Sequence, residues 1–281
     1  MLDLGDVTLS CRLAGEGPLV LCAHGFPDVS NTFRHQVGPL VERGFRVACP
    51  TMRGYAPSGV ARSGRYDVEA LGEDLCALAD RLSPDAPVRL VGHDWGALAA
   101  YAATALSPRR FSSLVTMAVP HPRSFLRGAT TPAQLRRSWY IGLFQLRRVA
   151  EARLAARDFA LVERLWRDWS PGYAASAQEL GEIKAAIAPR VPEVLAYYRA
   201  LVTRSALFGA SRRLLLTKTA VPSLHVHGAR DGCIGAELLD GVEAHYCAGV
   251  AVHRVPDAGH FVHLERPAVV TELLLDFFGK P

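Results

Sequence analysis

Apolar residues along this chain fall into two rhythms, and the change between them marks its organisation. Residues 19–23 (LVLCA), 45–50, 88–91, 111–119 and 223–227 are short, nearly continuous apolar runs, as expected of strands buried on both faces of a sheet. Residues 32–43 read as a helix. Asp67 has the side chain of a helix cap, and Leu71, Leu75, Leu78 and Leu82 follow it along one helical face. Residues 2–14 alternate through Val7, Leu9, Cys11 and Leu13, which predicts an opening antiparallel hairpin, with 15–18 turning into the first buried strand. Up to residue 119 the order is β-α-β-α-β-α-β with short connections. That order implies a mostly parallel sheet with helices on both faces, an α/β fold.

From residue 121 to about 213 the strand pattern stops. Helical stretches rich in Arg, Ala, Leu and aromatics run there, broken by Pro132, Pro171, Pro189 and Pro192. Alternation resumes with the strand 223–227, a helix at about 236–244, a strand at 250–255 and a closing helix at 267–278. A helical insertion between two sheet strands reads as a lid that lines a pocket and keeps bulk water from it. The expected division is a core in two parts, residues 1–119 and 214–281, with a helical cap of residues 120–213.

The densest chemistry lies at 88–101, VRLVGHDWGALAAY, where an apolar strand, a tight turn and a small-residue helix follow one another. Gly92 and Gly96 flank Asp94 by two residues on either side, leaving room for strained dihedrals and close neighbours. This is the G-x-S-x-G nucleophile elbow with Asp in place of Ser. The exchange is chemically specific. A serine oxygen that attacked a saturated carbon would form an ether, which no nearby histidine could hydrolyse. A carboxylate forms an ester, whose carbonyl activated water can attack in a second step. Asp94 therefore suits an sp3 electrophile such as an epoxide or an alkyl halide. The plain alternative is that Asp94 only caps the following helix.

An ester of this kind needs a base for its water and a group that orients the base. Asp231, in the turn after the strand 223–227, and His260, after Asp257-Ala258-Gly259 and the strand 250–255, follow the elbow in the order nucleophile, acid, histidine. That is the α/β-hydrolase order. His24-Gly25-Phe26-Pro27 leaves a central strand at its C-terminal edge, where α/β sheets hold their ligands. His225 and His227 alternate on one strand as two zinc ligands would, but no further Cys, His or acid cluster lies close in sequence, so core packing is expected. His263, three residues past His260, is expected to pack too.

Composition adds bounds. A chain of 281 residues, 49% hydrophobic and 21% charged, suits one large α/β domain. The net charge of +5 is local: sixteen Lys/Arg stand against seven Asp/Glu between residues 120 and 213, with no aromatic-basic motif, so no nucleic-acid partner is expected. No apolar run reaches the length of a membrane span, and the N-terminus has acids where a signal peptide is basic, so a cytoplasmic protein is expected. Six scattered cysteines without metal-like spacing are expected to stay free.

Over nearly its full length the chain resembles the epoxide hydrolases of the α/β-hydrolase superfamily. The matching pieces are His24-Gly25-Phe26-Pro27, Gly92-His93-Asp94-Trp95-Gly96, the loop ending in Asp231, Gly259-His260, and two tyrosine motifs in the insertion. Ser138-Trp139-Tyr140 with Phe144-Gln145 resembles the first motif, and Tyr197-Tyr198-Arg199 the second. The resemblance implies that Tyr140 and Tyr198 protonate the epoxide oxygen and that the amides of Phe26 and Trp95 form an oxyanion hole beside a cis Phe26–Pro27 bond. It also implies that His24, Pro27, His93 and Trp139 line the substrate site. Leu146-Arg147-Arg148 lacks the proline common after the first motif, and Ala196 stands where a polar residue is common. Both departures bear on substrate shape. The expected activity is hydrolysis of an apolar epoxide to a vicinal diol, with water as the second reactant, no cofactor or metal, and a homodimer admissible. A haloalkane dehalogenase shares the Asp elbow and Trp95, but commonly carries Asn where this chain has Phe26 and lacks the tyrosine pair. A non-catalytic hydrolase fold that binds a small ligand is the other alternative.

Overall fold

The computed structural model describes residues 1–280. Its main sheet has seven strands in the order β3 (Cys11–Ala14), β5 (Arg46–Pro50), β4 (Leu19–Ala23), β6 (Val88–His93), β7 (Phe111–Met117), β8 (Ser223–Gly228) and β9 (Val250–Val255). Every pairing in it is parallel except β3 with β5. The expected opening hairpin is divided. β1 (Leu2–Asp3) and β2 (Thr8–Leu9) form a small antiparallel ribbon, whereas β3 runs along the edge of the main sheet beside β5. β3 cannot pair with β4, because β5 and β6 already occupy both sides of that strand.

The period of two along each strand feeds two core layers. Leu19, Leu21 and Ala23 of β4 join Leu71, Leu75, Leu78 and Ala97 from the helices Val68–Leu82 and Trp95–Leu106. Val20 and Cys22 face Leu40 of the helix Arg34–Glu42 and Val270, Leu274 and Phe278 of the helix Pro267–Phe278. Burying each such leucine or valine contributes about 1.5–3 kcal/mol. Asp67 caps its helix, its carboxylate accepting the Ala70 amide at 3.1 Å.

Three expected boundaries move. The stretch 32–43 divides into a 3-10 turn, Ser30–Phe33, and the helix Arg34–Glu42. β7 stops at Met117, because Ala118 has a φ of 65° and turns the chain away. The helix expected at 236–244 is instead two 3-10 turns, Ala236–Leu239 and Val242–His245, separated by Gly241 at a φ of 72°. A left-handed residue cannot continue a right-handed helix.

Between β7 and β8 the ordered elements are helices, from Pro122–Gly128 to Ala210–Leu216. The longest, Val149–Trp169, is interrupted at 156–159, where Arg157, Asp158 and Phe159 have positive φ. Hydrogen bonds tie these helices to loops that follow the C-terminal ends of the strands. Trp166 Nε1 donates to the Pro27 carbonyl at 2.8 Å, and the Tyr197 hydroxyl donates to the Arg53 carbonyl at 2.7 Å. Among the described residues no helix is long and apolar enough to cross a membrane, and all six cysteines are free.

Arg53 shows how the loop after β5 is held. Its guanidinium is buried, donates to both oxygens of the buried Asp74 at 2.6 and 2.7 Å, and reaches Asp6 at 3.0 Å and the Arg65 carbonyl at 2.7 Å. Removing one partner strands a charge in low dielectric. Asp74→Ala is therefore expected to lower the unfolding free energy in urea by about 3–5 kcal/mol. The double variant Arg53→Met/Asp74→Leu should recover a large part of that loss.

Candidate active site

β6 ends at His93 and a helix begins at Trp95, so Asp94 alone makes the turn, at φ 51° and ψ −118°. Holding a non-glycine residue there costs about 1–3 kcal/mol and needs support from all sides. A Cβ on Gly96 would collide with the Ala23 carbonyl, and one on Gly92 with the Gly96 carbonyl. One on Gly25 would collide with the Asp94 carboxylate and come within 2.7 Å of the Trp95 nitrogen. The glycines are thus required by contact between β4, its following loop and the elbow. The Asp94 side chain makes no capping bond to the helix among the described residues, which removes the capping alternative. Its Oδ1 instead accepts the Phe26 amide at 2.8 Å.

His260 stands beside the other oxygen. Its Nε2 lies 3.5 Å from Asp94 Oδ2 and has no hydrogen-bond partner among the described residues. Its Nδ1 faces Asp231 Oδ2 at 2.9 Å, while Asp231 Oδ1 accepts the amides of Cys233 at 2.7 Å and Ile234 at 2.9 Å. Burial alone would lower the His260 pKa, but the charge and hydrogen bond of Asp231, with the neighbouring Cys233 and Asp94, hold it well above the usual imidazole value. Burial would raise the Asp231 pKa, and the His260 charge and hydrogen bond hold it below the usual carboxylate value instead. Both directions describe an ionic pair.

A backbone group from the helical region joins the acid and the base. The Trp169 carbonyl accepts the amide of Gly232 at 3.0 Å and the amide of His260 at 3.1 Å, so the loops after β8 and β9 are held by one oxygen. Ser170 Oγ accepts the Phe261 amide at 3.0 Å, and Glu265 Oε1 accepts the Gly259 amide at 2.8 Å.

Tyr140, on the helix Trp139–Gln145, and Tyr198, on the helix Val191–Ala200, are buried with ring centroids 5.6 Å apart. The Tyr198 ring meets the rings of Phe26, Trp95 and Phe144 at 5.2, 5.2 and 4.9 Å, and Trp169 lies 4.9 Å from the Tyr140 ring. The Tyr198 hydroxyl has no hydrogen-bond partner among the described residues; the Tyr140 hydroxyl lies 3.3 Å from Cys233 Sγ. Burial, and then nearby groups that include Asp94, push both phenols well above their usual pKa. They remain O–H donors at neutral pH.

Three residues expected to line the site do other work. The His24 ring accepts the Met52 amide at 2.9 Å through Nε2, leaving its Nδ1–H to donate to the Gly25 carbonyl at 2.9 Å, and burial lowers its pKa to about 4. His93 donates Nε2–H to the His260 carbonyl at 3.0 Å, and burial with the nearby His260 lowers its pKa to about 3. Both histidines are neutral braces behind the loops. Trp139 is 38% exposed, with the Arg164 guanidinium 5.0 Å over its ring, because consecutive helical residues point about 100° apart and Tyr140 takes the inward direction. Its expected place in the pocket is corrected accordingly. The Phe26–Pro27 bond is cis, as the resemblance implied; the Phe26 amide meets the carboxylate and the Pro27 carbonyl accepts from Trp166.

His225 and His227 are held within the core by hydrogen bonds. His225 Nδ1 bonds Thr116 Oγ1 at 2.9 Å, His227 Nε2 bonds the Ile234 carbonyl at 3.0 Å, and the two rings face each other through their remaining nitrogens at 3.4 Å. His263 packs in a stack on Phe33 and bonds Thr32. Cys233 is the side chain that sequence reasoning missed. It stands two residues past Asp231, where the turn directs it toward Asp94 and His260, and that spacing was the available signal. The Trp169 carbonyl carried no signal, since any residue has one.

The profile of the family described as α/β hydrolase fold matches residues 18–267. The chain belongs to that family. It is 28% identical to the AB hydrolase superfamily protein YfhM of Bacillus subtilis, over 98% of this chain and 96% of that one. It is 29% identical to epoxide hydrolase A of Mycobacterium tuberculosis, over 99% of this chain and 96% of the relative. A crystal structure of Bacillus megaterium epoxide hydrolase in complex with an inhibitor superposes with a TM-score of 0.86 at 26% identity, covering 99% of each chain.

The electrostatics predict a result that needs no substrate. Asp231→Asn removes the main negative neighbour of the imidazolium, so the His260 pKa is expected to fall, and proton NMR titration of its ring should show the fall directly. Asp94→Asn should shift it in the same direction by less.

Proposed function

We propose that this protein is an epoxide hydrolase, with residues 1–119 and 214–281 as its α/β core and residues 120–213 as the cap that closes over Asp94. What carries the reading is the Tyr198 hydroxyl, a buried donor without a partner among the described residues, on a ring packed against Phe26 and Trp95, the two residues that flank a carboxylate whose one oxygen is held by an amide and whose other is not. An epoxide oxygen fills the first need and an epoxide carbon the second.

Oδ2 of Asp94 attacks the ring carbon and the carbon–oxygen bond breaks, while Tyr198 and Tyr140 donate to the departing oxygen. Oδ1, already on the Phe26 amide, becomes the ester carbonyl. Alkylation removes the Asp94 charge, one of the influences that keeps His260 protonated, so His260 can give its proton to the alkoxide left by ring opening and then, as a neutral base, take one from water. That water attacks the ester carbon, and the negative charge on Oδ1 is met by the amides of Phe26 and Trp95, donors of a kind that supplies about 3–4 kcal/mol. Collapse releases the diol and restores Asp94. A carbon–halogen bond is the weaker candidate, since Phe26 offers an aromatic ring where a halide would need a side-chain donor.

Oxygen tracing tests the ester. With enzyme in excess over styrene oxide in oxygen-18 water, the first-turnover diol should be unlabelled and the label should appear in the peptide that contains Asp94. Solvent label in that diol, with Asp94 unlabelled, would make Asp94 a general base and end the proposal.

The tyrosines have a separate test. Tyr140→Phe/Tyr198→Phe is expected to slow alkylation of Asp94 by at least about 100-fold with the fold intact, and each single change should slow it less. His260→Gln should instead accumulate an adduct with the mass of one substrate molecule.

A further inference from the structure

The reaction proposed above uses Asp94 and His260 but has no use for Cys233, although the three side chains converge. An Asp94 carboxylate oxygen, Cys233 Sγ and a His260 ring nitrogen all lie within 4.8 Å of one another, and all three residues are buried. The His260 nitrogen on that side is Nε2, since Nδ1 is engaged by Asp231. It has no hydrogen-bond partner among the described residues and points toward Asp94 Oδ2 at 3.5 Å.

We infer that Asp94, Cys233 and His260 form an inhibitory binding site for a thiophilic divalent cation of the zinc type. Carboxylate, thiolate and imidazole are the three ligand types that zinc takes, at about 2.0–2.3 Å each, which places tetrahedral ligand atoms about 3.3–3.7 Å apart. The 3.5 Å between Nε2 and Oδ2 already meets that spacing, and Sγ, within 4.8 Å of both, has at most about 1 Å to move. Asp231 completes the arrangement from behind. A carboxylate that accepts the Nδ1–H of a ligating histidine fixes the tautomer and turns the Nε2 lone pair to the metal. The Tyr140 hydroxyl, 3.3 Å from Sγ, or a water supplies the fourth position. Coordination displaces the thiol proton and the Nε2 proton to solvent, as metal binding to such ligands requires. The soft sulfur selects zinc, cadmium or cobalt over magnesium and calcium.

The consequence for activity rests on the epoxide hydrolase reading: one ion would occupy both nucleophile and base, so it competes with epoxide. Binding itself does not rest on that reading and can be measured without substrate. Titration of the purified protein with cobalt(II) is expected to give one equivalent of thiolate-to-cobalt charge-transfer absorption in the near ultraviolet. Zinc should abolish that band, and Cys233→Ser, with an unchanged far-ultraviolet spectrum, should lack it. Zinc in the micromolar range should inhibit styrene oxide turnover, with reversal by chelator. The inhibition constant should rise at least about tenfold in Cys233→Ser, measured against that variant's own metal-free rate, while magnesium has no effect. A wild-type protein without the charge-transfer band, or a band that survives Cys233→Ser and so belongs to another cysteine, would overturn the site. A band that behaves as expected in a protein that does not open epoxides would leave the site standing and remove the proposed reaction instead.

Discussion

The whole arrangement depends on one strained residue. Asp94 sits at a positive φ that a side chain avoids, and it stays there because β4, β6 and the helix Trp95–Leu106 approach so closely that no other path is open to the chain. That closeness permits only glycine at positions 25, 92 and 96. It also places the Phe26 amide on the carboxylate, so the feature that strains Asp94 brings a donor to it. Strain and function share one cause, the packing of a loop and a turn at the C-terminal edge of adjacent parallel strands.

Around this point the protein arranges charge in a buried setting. Asp94, Asp231 and His260 are buried together, with several buried neutral histidines close by, and the charged state survives because each charge has a partner. Asp231 has two backbone amides and the imidazole; His260 has Asp231 on one side and faces Asp94 on the other. Burial pushes His24 and His93 toward the neutral form instead, because neither has a carboxylate hydrogen-bonded to its ring. Identical side chains thus divide into one held in its charged form by a carboxylate and others that stay neutral and brace loops.

The helical region contributes more than a cover. It brings two phenols to the carboxylate, and its Trp169 carbonyl holds the loops of the acid and the base in one place. An opening of this region would therefore loosen His260 and Asp231 together with the pocket. The position of Cys233 follows from the same loop, since the tight turn that lets its amide serve Asp231 also directs its sulfur toward Tyr140.

Much of this was legible in the residues alone. Periodicity marked the buried strands, Asp67 marked its helix, and the loss of strand pattern after Pro120 marked the helical stretch, because each is a local property set by the backbone period and its caps. Ester chemistry pointed to Asp94, and chain order pointed to Asp231 and His260. Other features are decided by contacts between segments far apart in sequence, which no local pattern encodes. β3 lies beside β5 because both sides of β4 were taken. Trp139 faces outward and Tyr140 inward because a helix can offer only one of two neighbours to the core. His24 and His93 became braces and Cys233 a neighbour of the reaction centre through hydrogen bonds and approaches that form only when the loops after β4, β5, β8 and β9 meet.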